Sequence, residues 1–191
     1  MRVAQTTGVI TIIISVSLVC LANAWAAVPK PARAARLYAG LARTKWITLG
    51  HGPRIIYEVF DPNCPYCHLL FDELKPLIRP YKLTVRAVPV GYLTSTSMAK
   101  AAAILTARHP RQMLLHGEAH YSFHHGMDIP LTIPGKRIRR ILRSNIQMVS
   151  AAAGYTIVPV LAYRTSGGRK RFIVGQPGAR KLKRIIATIR R

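Results

Sequence analysis

Acidic residues are scarce in this sequence. Its 191 residues include six Asp and Glu against 29 Lys and Arg, and the formal net charge is +23. A basic excess of this size favours contact with acidic substrates, anionic lipids or nucleic acid. No helix-turn-helix, zinc-finger or RNA-binding signature accompanies the basic residues, which argues against nucleic-acid recognition as the main function. A basic protein that binds nucleic acid or a membrane surface is therefore kept as an alternative.

Cysteine is scarce as well, with three residues in the chain: Cys20, Cys64 and Cys67. A structural zinc site needs four ligands, and the sequence has no second C-x-x-C motif to supply them. A disulfide between cysteines three positions apart closes a very short loop, so it adds little stability. A small disulfide-stapled protein would carry more pairs. A single C-x-x-C pair instead indicates a redox-active dithiol.

Residues 1–26 are predicted to form an export signal. Arg2 supplies the charged start and residues 9–21 are apolar, with a few hydroxyl residues among them. Two A-x-A sites, which end at Ala24 and Ala26, have the small residues that signal cleavage requires. We therefore expect a chain exported to the periplasm.

The alternative is an uncleaved membrane anchor, because residues 8–27 are just long enough to span a bilayer. Cys20 lies inside this segment, so cleavage would leave the pair at 64 and 67 as the only thiols. Residues 27–44 are expected to form a linker and a short helix, and residues 45–191 the functional domain.

The C-x-x-C pair lies between a strand-like and a helix-like run. Residues 55–60 are rich in β-branched and aromatic side chains, and residues 70–78 have apolar side chains at helical spacing. Cys64 is therefore predicted at a helix N-terminus, where free N–H groups and the helix dipole stabilise a thiolate and lower its pKa. Cys67 follows one turn later, buried, where it can resolve a mixed disulfide formed on Cys64.

A c-type haem is the main rival interpretation of the same residues. Cys64 to His68 satisfy the C-x-x-C-H attachment signal. Haem would require the motif in a small helical domain with a distal Met or His ligand. Here the motif follows a predicted strand, and further strand and helix patterns lie downstream, which favours the dithiol. A c-type haem electron carrier is kept as an alternative.

Secondary structure elsewhere is predicted from hydrophobic spacing and from the positions of proline and glycine. Pro159 lies within one predicted strand, where it cannot donate a ladder hydrogen bond and so requires an explanation. The predicted elements are a helix over 32–43, a strand over 46–49, a strand over 82–88, helices broken by prolines between 98 and 152, a strand over 155–163, a strand over 171–174 and a helix over 179–191.

Histidines provide one further candidate site. His116, His120 and His124 recur every four residues, so one helix face could present them to a metal. No carboxylate completes the set except Glu118, which falls on a different face. The alternative is a solvated, pH-sensitive surface. We assign the chain no metal and no cofactor.

The order of elements resembles the thioredoxin fold and, more narrowly, the periplasmic disulfide isomerases DsbC and DsbG. The residues that carry the resemblance are Asp61-Pro62-x-Cys64-Pro65-Tyr66-Cys67 with His68, the Ala-rich stretch 101–105 and Pro159. The resemblance covers residues 45–191. It implies an α/β protein with a thioredoxin-like fold and a helical insertion at about 94–153.

The resemblance also implies roles for individual residues. Pro159 corresponds to the cis proline that faces the cysteine pair, and a substrate backbone would dock beside it and Val158. Pro65 and Tyr66 would contact substrate and tune the cysteine pair. Glu58 lies six positions before Cys64, where thioredoxin and the oxidase DsbA have a buried acid that exchanges protons with the resolving cysteine.

Two of these residues depart from the isomerases. Glu58 and Val158 resemble DsbA, since DsbC and DsbG lack an acid at the first position and usually have Thr at the second. The alternation of side chains along the strand does not decide whether the Glu58 side chain is buried or exposed to solvent. The isomerases also have an N-terminal dimerisation domain, for which residues 27–44 are too few, so a monomer is expected.

The function implied is an exported thiol–disulfide oxidoreductase that oxidises, isomerises or reduces disulfides. Its partners would be cysteine-containing exported proteins and a membrane redox protein that recharges the pair. The basic helices could in addition contact an anionic surface. The reduction potential of the pair would decide the direction of electron flow.

Overall fold

The computed structural model of the protein describes residues 30–190. The predicted export segment 1–26, with Cys20, lies outside the described residues. Among the helices of residues 30–190, none is both long enough and apolar enough to cross a membrane.

A five-stranded mixed sheet forms the centre of the molecule. Its strands lie in the order β1-β3-β2-β6-β7, in which β2 and β3 are parallel and the other neighbours are antiparallel. β4 and β5 form a separate two-stranded hairpin. The strands are β1 (Ile47–Leu49), β2 (Arg54–Phe60), β3 (Leu83–Pro89), β4 (Tyr121–Ser122), β5 (Gly126–Met127), β6 (Val160–Arg164) and β7 (Lys170–Val174).

Helices cover both faces of the sheet. α1 packs against α5, β6 and β7 on one face, whereas α2 contacts α6 and α4 contacts β1 on the other. A short 3-10 turn, Lys75–Leu77, follows α2. The helices are α1 (Lys30–Leu41), α2 (Pro65–Leu74), α3 (Ser97–Thr106), α4 (Pro110–Ala119), α5 (Lys136–Ala153) and α6 (Ala179–Thr188).

The middle strand, β2, ends four residues before Cys64 and so positions the cysteine pair at the edge of the sheet. It pairs with β3 on one side and β6 on the other, and residues 56–60 are all buried. A strand covered on both faces loses the alternation of buried and exposed positions that marks a half-exposed strand. This is why sequence alternation could not assign a direction to Glu58.

Helix α1 belongs to the same packed unit as the sheet. Its Leu37 and Leu41 are buried in the core that also holds β2 and β3. Beyond α1, the Thr44 hydroxyl donates to Asn145 Oδ1 at 2.6 Å, and Asn145 Nδ2 donates to the carbonyl of Pro89 at 2.9 Å. The predicted boundary at residue 45 therefore cuts through contacts that join α1 to the rest of the molecule.

The strand predicted over 155–163 is shorter than expected. It begins only at Val160, so Pro159 precedes the strand instead of interrupting it. Proline has no N–H for the ladder, which accounts for the start of β6 directly after it. The Pro159 carbonyl still accepts a hydrogen bond from the Gly175 N–H at 2.8 Å. The predicted strands before and after this region are confirmed by β2, β3 and β7.

The helical insertion contains a hairpin that the sequence analysis missed. Three helices lie between residues 97 and 153, as predicted, but β4 and β5 replace the helix expected over residues 121–127. His120 is the C-cap of α4, and its ring still lies beside that of His116 with centroids 4.3 Å apart, but His124 lies in the β4–β5 hairpin and leaves this face. The predicted three-histidine helix face is therefore wrong. Among residues 30–190 no group of His, Cys, Asp or Glu side chains is arranged to hold a metal ion.

Candidate active site

Cys64 caps the N-terminus of α2. Its backbone is extended, Pro65 occupies the first helical position, and Cys64 Sγ accepts a hydrogen bond from the Cys67 N–H at 3.3 Å. Proline suits that position because the first N–H of a helix has no partner within the helix. Both cysteines are buried free thiols. The turn therefore brings the predicted pair together with the first thiol at the positive end of the helix.

The two thiols differ in acidity. The hydrogen bond from the Cys67 side chain, together with the N–H groups of Cys67 and Tyr66, lowers the pKa of Cys64 despite its burial. Burial raises the pKa of Cys67 well above its usual range, and the neighbouring Cys64 adds to that shift. Cys64 is thus the more acidic thiol of the pair, and Cys67 the less acidic one.

The loop before β6 lies directly beside Cys64. The Val158–Pro159 peptide bond is cis, as the resemblance to the isomerases implies. Cys64 Sγ lies 3.9 Å from the carbonyl oxygen of Val158. Tyr66, in the turn between the cysteines, is 61% exposed. Cys64 Sγ therefore lies next to the backbone just before β6, in a turn that also carries an exposed aromatic side chain.

Glu58 is buried under the cysteine pair, with 2% of its surface exposed. Burial raises the pKa of its carboxyl well above the usual range, and the charges of Glu118 and Cys64 raise it further. The charge of Glu58 in turn contributes to the raised pKa of Cys67. The structure therefore places a buried carboxyl with a raised pKa within electrostatic reach of both thiols.

A contact between His68 and a buried carboxyl group was missed by the sequence analysis. Glu118 Oε2 lies 2.7 Å from His68 Nδ1, and Asp72 Oδ2 lies 3.6 Å from His68 Nε2. The His68 ring also stacks on Tyr121 with ring centroids 4.2 Å apart. Burial raises the pKa of Glu118 to about 7, although His68 opposes the shift. His68 is thus engaged by two carboxylates and an aromatic ring, not offered to a haem iron.

Asp61 joins the active-site turn to the loop after β3. Its Oδ2 accepts the N–H groups of Tyr92 and Leu93 at 2.8 and 3.1 Å, and its Oδ1 accepts the Ser97 hydroxyl at 2.7 Å and the Asn63 N–H at 3.0 Å. The four donors satisfy both oxygens of this buried side chain and tie the turn to the loop after β3. Asp61 was noted in the sequence only as part of the motif, and its partners lie about 30 residues away.

Asn63 links the same turn to α3. Its Oδ1 accepts a hydrogen bond from Lys100 Nζ at 2.9 Å, and its Nδ2 donates to the hydroxyls of Thr94 and Thr96 at 2.6 and 2.8 Å. Lys100 is 7% exposed, and burial lowers the pKa of its ammonium group. Lys100 Nζ also donates to the carbonyl of His125. The buried ammonium group of Lys100 therefore links Asn63 in the turn to the backbone of His125.

The β4–β5 hairpin packs against the outer side of the turn. The Tyr121 hydroxyl donates to the carbonyl of Asn63 at 3.1 Å, and the Met127 N–H donates to the carbonyl of Pro62 at 2.9 Å. Gly126 has a φ of +71° and lies so close to Asn63 that a Cβ atom would collide with it. Only glycine fits this position.

Comparison with curated proteins finds relatives over most of the chain, whereas no protein-family model matches it. The chain is 28% identical over 155 residues to the thiol:disulfide interchange protein DsbG of Pseudomonas aeruginosa, a match covering 80% of this chain and 59% of that protein. It is 26% identical over 151 residues to DsbG of Escherichia coli, with 76% and 58% covered. The chain thus spans less than two thirds of the length of these relatives.

The fold is shared with solved structures as well. A periplasmic thioredoxin-like protein from Salmonella enterica serovar Typhimurium superposes with a TM-score of 0.63 at 20% identity, covering 79% of this chain and 94% of that one. This likeness confirms the predicted thioredoxin-like fold. The sequence similarity to DsbG confirms the predicted resemblance to the DsbC/DsbG proteins over most of the chain.

Proposed function

We propose that this chain is an exported thiol–disulfide oxidoreductase that works through Cys64 and Cys67. The observation that carries the proposal is the asymmetry of the pair: Cys64 has a lowered pKa at the N-terminus of α2, whereas Cys67 is buried with a raised pKa. A nucleophilic thiol next to a protonated resolving thiol is the arrangement that disulfide exchange requires. The similarity to thiol:disulfide interchange proteins supports the same reaction.

The exchange proceeds in two displacement steps. A substrate thiolate attacks Cys64 Sγ of the oxidised pair, the Cys64–Cys67 bond breaks, and Cys67 leaves with the electron pair and takes up a proton. A second substrate thiolate then attacks the substrate sulfur of the mixed disulfide, and Cys64 leaves as a thiolate. The substrate has lost two electrons to the pair. Run in reverse, the same steps reduce a substrate disulfide.

Glu58 is proposed to hold the proton that Cys67 gains and loses. Cys67 must lose its proton before it can attack a mixed disulfide on Cys64, and burial opposes the formation of that thiolate. A buried carboxyl with a raised pKa can accept the proton near neutral pH. The contribution of Glu58 to the raised pKa of Cys67 supports this role.

Substrate is proposed to dock where Val158 and Pro159 lie next to Cys64. These residues precede β6, so their backbone is not committed to the sheet ladder in the way that residues 160–164 are. An extended segment can pair with the Val158 backbone and bring its cysteine to Cys64 Sγ. Tyr66 and Phe123 are both more than 60% exposed and can cover the apolar side chains of the segment. Pro65 completes the turn that presents Tyr66.

The partners proposed are cysteine-containing proteins outside the cytoplasm and a membrane redox protein that restores the pair. The predicted export segment and the periplasmic origin of the similar Salmonella protein support this location. The exchange itself needs no metal and no prosthetic group, since both electrons pass between sulfur atoms.

Cysteine variants test the proposed function directly. Cys67→Ser should accumulate a stable mixed disulfide with oxidised glutathione, because Cys64 can still attack but the resolving thiol is missing. Cys64→Ser should form little adduct, since Cys67 is buried and protonated. Mass spectrometry of peptides from the full chain measures both, because it separates adducts at positions 64 and 67 from any adduct on Cys20. Equal adduct formation by the two variants, or none by either, would contradict the assignment of nucleophile and resolving thiol.

Alkylation should report the acidity of Cys64. In the reduced chain, iodoacetamide should modify Cys64 with a pH midpoint below the ordinary thiol pKa of about 8.5, because the pKa of Cys64 is lowered. Cys67 should remain unmodified at the same pH values. The urea-unfolded chain is the control, in which both thiols should react alike. If the pH midpoint for Cys64 is the same in the folded and the unfolded chain, the N-terminus of α2 does not stabilise the Cys64 thiolate.

Glu58→Gln tests the proposed proton carrier. The variant should slow the attack of Cys67 on a glutathione mixed disulfide by on the order of 100-fold, measured by stopped-flow release of glutathione. A carboxyl with a raised pKa binds more protons in the folded chain, so wild-type stability falls as the pH rises above its usual value of 4.5. The glutamine side chain of the variant cannot ionise, so the stability of the variant should not decline over this pH range.

The control is the same substitution at the half-buried Glu73, which should change neither readout. If Glu58→Gln flattens the dependence of stability on pH but leaves the rate of resolution unchanged, Glu58 is a structural residue and not a proton carrier.

A further inference from the structure

The charges of this chain are separated along its sequence. All six acidic residues lie between Glu58 and Asp128. Residues 129–191 contain no Asp or Glu, but they contain about half of the 29 basic residues. The carboxylate ion pairs found among residues 30–190 are both made by His68. The last third of the chain therefore presents positive charge without an internal counter-charge.

Part of this charge converges on one groove between the β6–β7 hairpin and α6. Tyr163 pairs with Arg171 across the hairpin, and the Thr165 N–H donates to the carbonyl of Arg169 at 2.9 Å. Side chains of directly paired residues point to the same face of a sheet. Arg169 and Arg171 therefore project on the face that α6 crosses.

Helix α6 contributes the opposite wall of the groove. Lys181, Arg184 and Thr188 lie three and four positions apart, which places them on one stripe of the helix. The open cavity between this stripe and the hairpin has a volume of about 510 Å³. Its floor is formed by buried Tyr163 and Ile185.

The lining of the groove matches the chemistry of a phosphate group. Four exposed cations, Arg169, Arg171, Lys181 and Arg184, surround it. Guanidinium groups pair with phosphate oxygens through two parallel hydrogen bonds, and ammonium groups act as point charges. The hydroxyls of Thr165 and Ser166 add further donors, whereas that of Thr188 donates to the carbonyl of Ile185 at 2.7 Å. Four like charges around one groove repel each other until an anion neutralises them.

We propose that this groove, lined by Arg169, Arg171, Lys181 and Arg184, binds the phosphate groups of anionic lipid headgroups and docks the chain on a membrane surface. The groove is open, and exposed Arg180 and Lys183 extend the positive charge along α6. An extended face of one sign fits a charged surface better than a single enclosed ion does. The export proposed above brings the chain to membranes and away from nucleic acid.

The groove lies at the opposite end of β6 from the cysteine pair. Val158 and Pro159 precede β6 beside Cys64, whereas the groove begins at its last residues. Five extended residues span roughly 17 Å. A surface bound in the groove therefore leaves Cys64 open to substrate, and the inference does not depend on the chemistry of the thiols.

Vesicle binding of the full chain tests the proposal. The probes are vesicles of phosphatidylglycerol mixed with phosphatidylcholine, and vesicles of phosphatidylcholine alone, which report any binding through the apolar N-terminal segment. The groove variant carries Arg169→Gln, Arg171→Gln, Lys181→Gln and Arg184→Gln. Its matched control carries Lys136→Gln, Arg137→Gln, Arg140→Gln and Arg143→Gln, which remove the same charge from exposed positions of α5.

The groove variant should lose the preference for phosphatidylglycerol by at least about tenfold in affinity, and the α5 control by less than about threefold. Both should keep the unfolding midpoint and the glutathione adduct chemistry of the parent, so a loss of binding is separable from a loss of fold or of redox function.

Three outcomes would overturn the proposal. An equal loss in the two variants would mean that binding follows net charge alone. Equal affinity for the two vesicle types would mean that the groove does not recognise anionic lipid. Binding of sodium pyrophosphate that only the groove variant loses, without binding of vesicles, would identify a site for a soluble phosphate anion instead of a membrane.

Discussion

The N-terminus of α2 is the constraint on which the rest of the site depends. A helix begins with unpaired N–H groups, and here one of them is satisfied by Cys64 Sγ at 3.3 Å. A side-chain cap contributes about 1 kcal/mol, and a hydrogen bond to a charged acceptor is roughly twice as strong as one to a neutral acceptor. The start of the helix is therefore better capped by a thiolate than by a thiol. The same atom, Cys64 Sγ, therefore caps the helix and is the proposed nucleophile.

Half of the few carboxyl groups in this basic chain are buried around that atom. Asp61 accepts hydrogen bonds from the loop after β3 and fixes the turn, Glu118 pairs with His68, and Glu58 lies next to the thiols. Burial affects Glu58 and Glu118 in the same direction, raising the pKa of both. Asp61 has a different role, because both of its oxygens accept hydrogen bonds from the turn and from the loop after β3. The buried carboxyl groups thus comprise one that joins two loops and two whose pKa is raised by burial.

Local patterns were sufficient to predict the cysteine turn and the strands around it, whereas the cis peptide bond before Pro159 was implied by the resemblance to the isomerases. Contacts between distant residues were not predictable, because no periodicity connects His68 with Glu118 or Asn63 with Lys100. The hairpin at 121–127 was missed for a related reason: it is stabilised mainly by contacts with Pro62 and Asn63, not by its own sequence. Glu58 was ambiguous because β2 is buried on both faces. The sequence therefore predicted the nucleophile and the fold, but only part of the network that supports them.

The reduction potential of the Cys64–Cys67 pair tests the central claim most directly. The full chain would be equilibrated in glutathione buffers of graded ratio, quenched with an alkylating agent and scored by mass spectrometry. The account predicts one two-electron transition between about −120 and −270 mV, the range covered by oxidising and reducing members of the thioredoxin-like proteins. Thiols that fail to exchange with glutathione at any ratio would contradict the assignment of a redox pair.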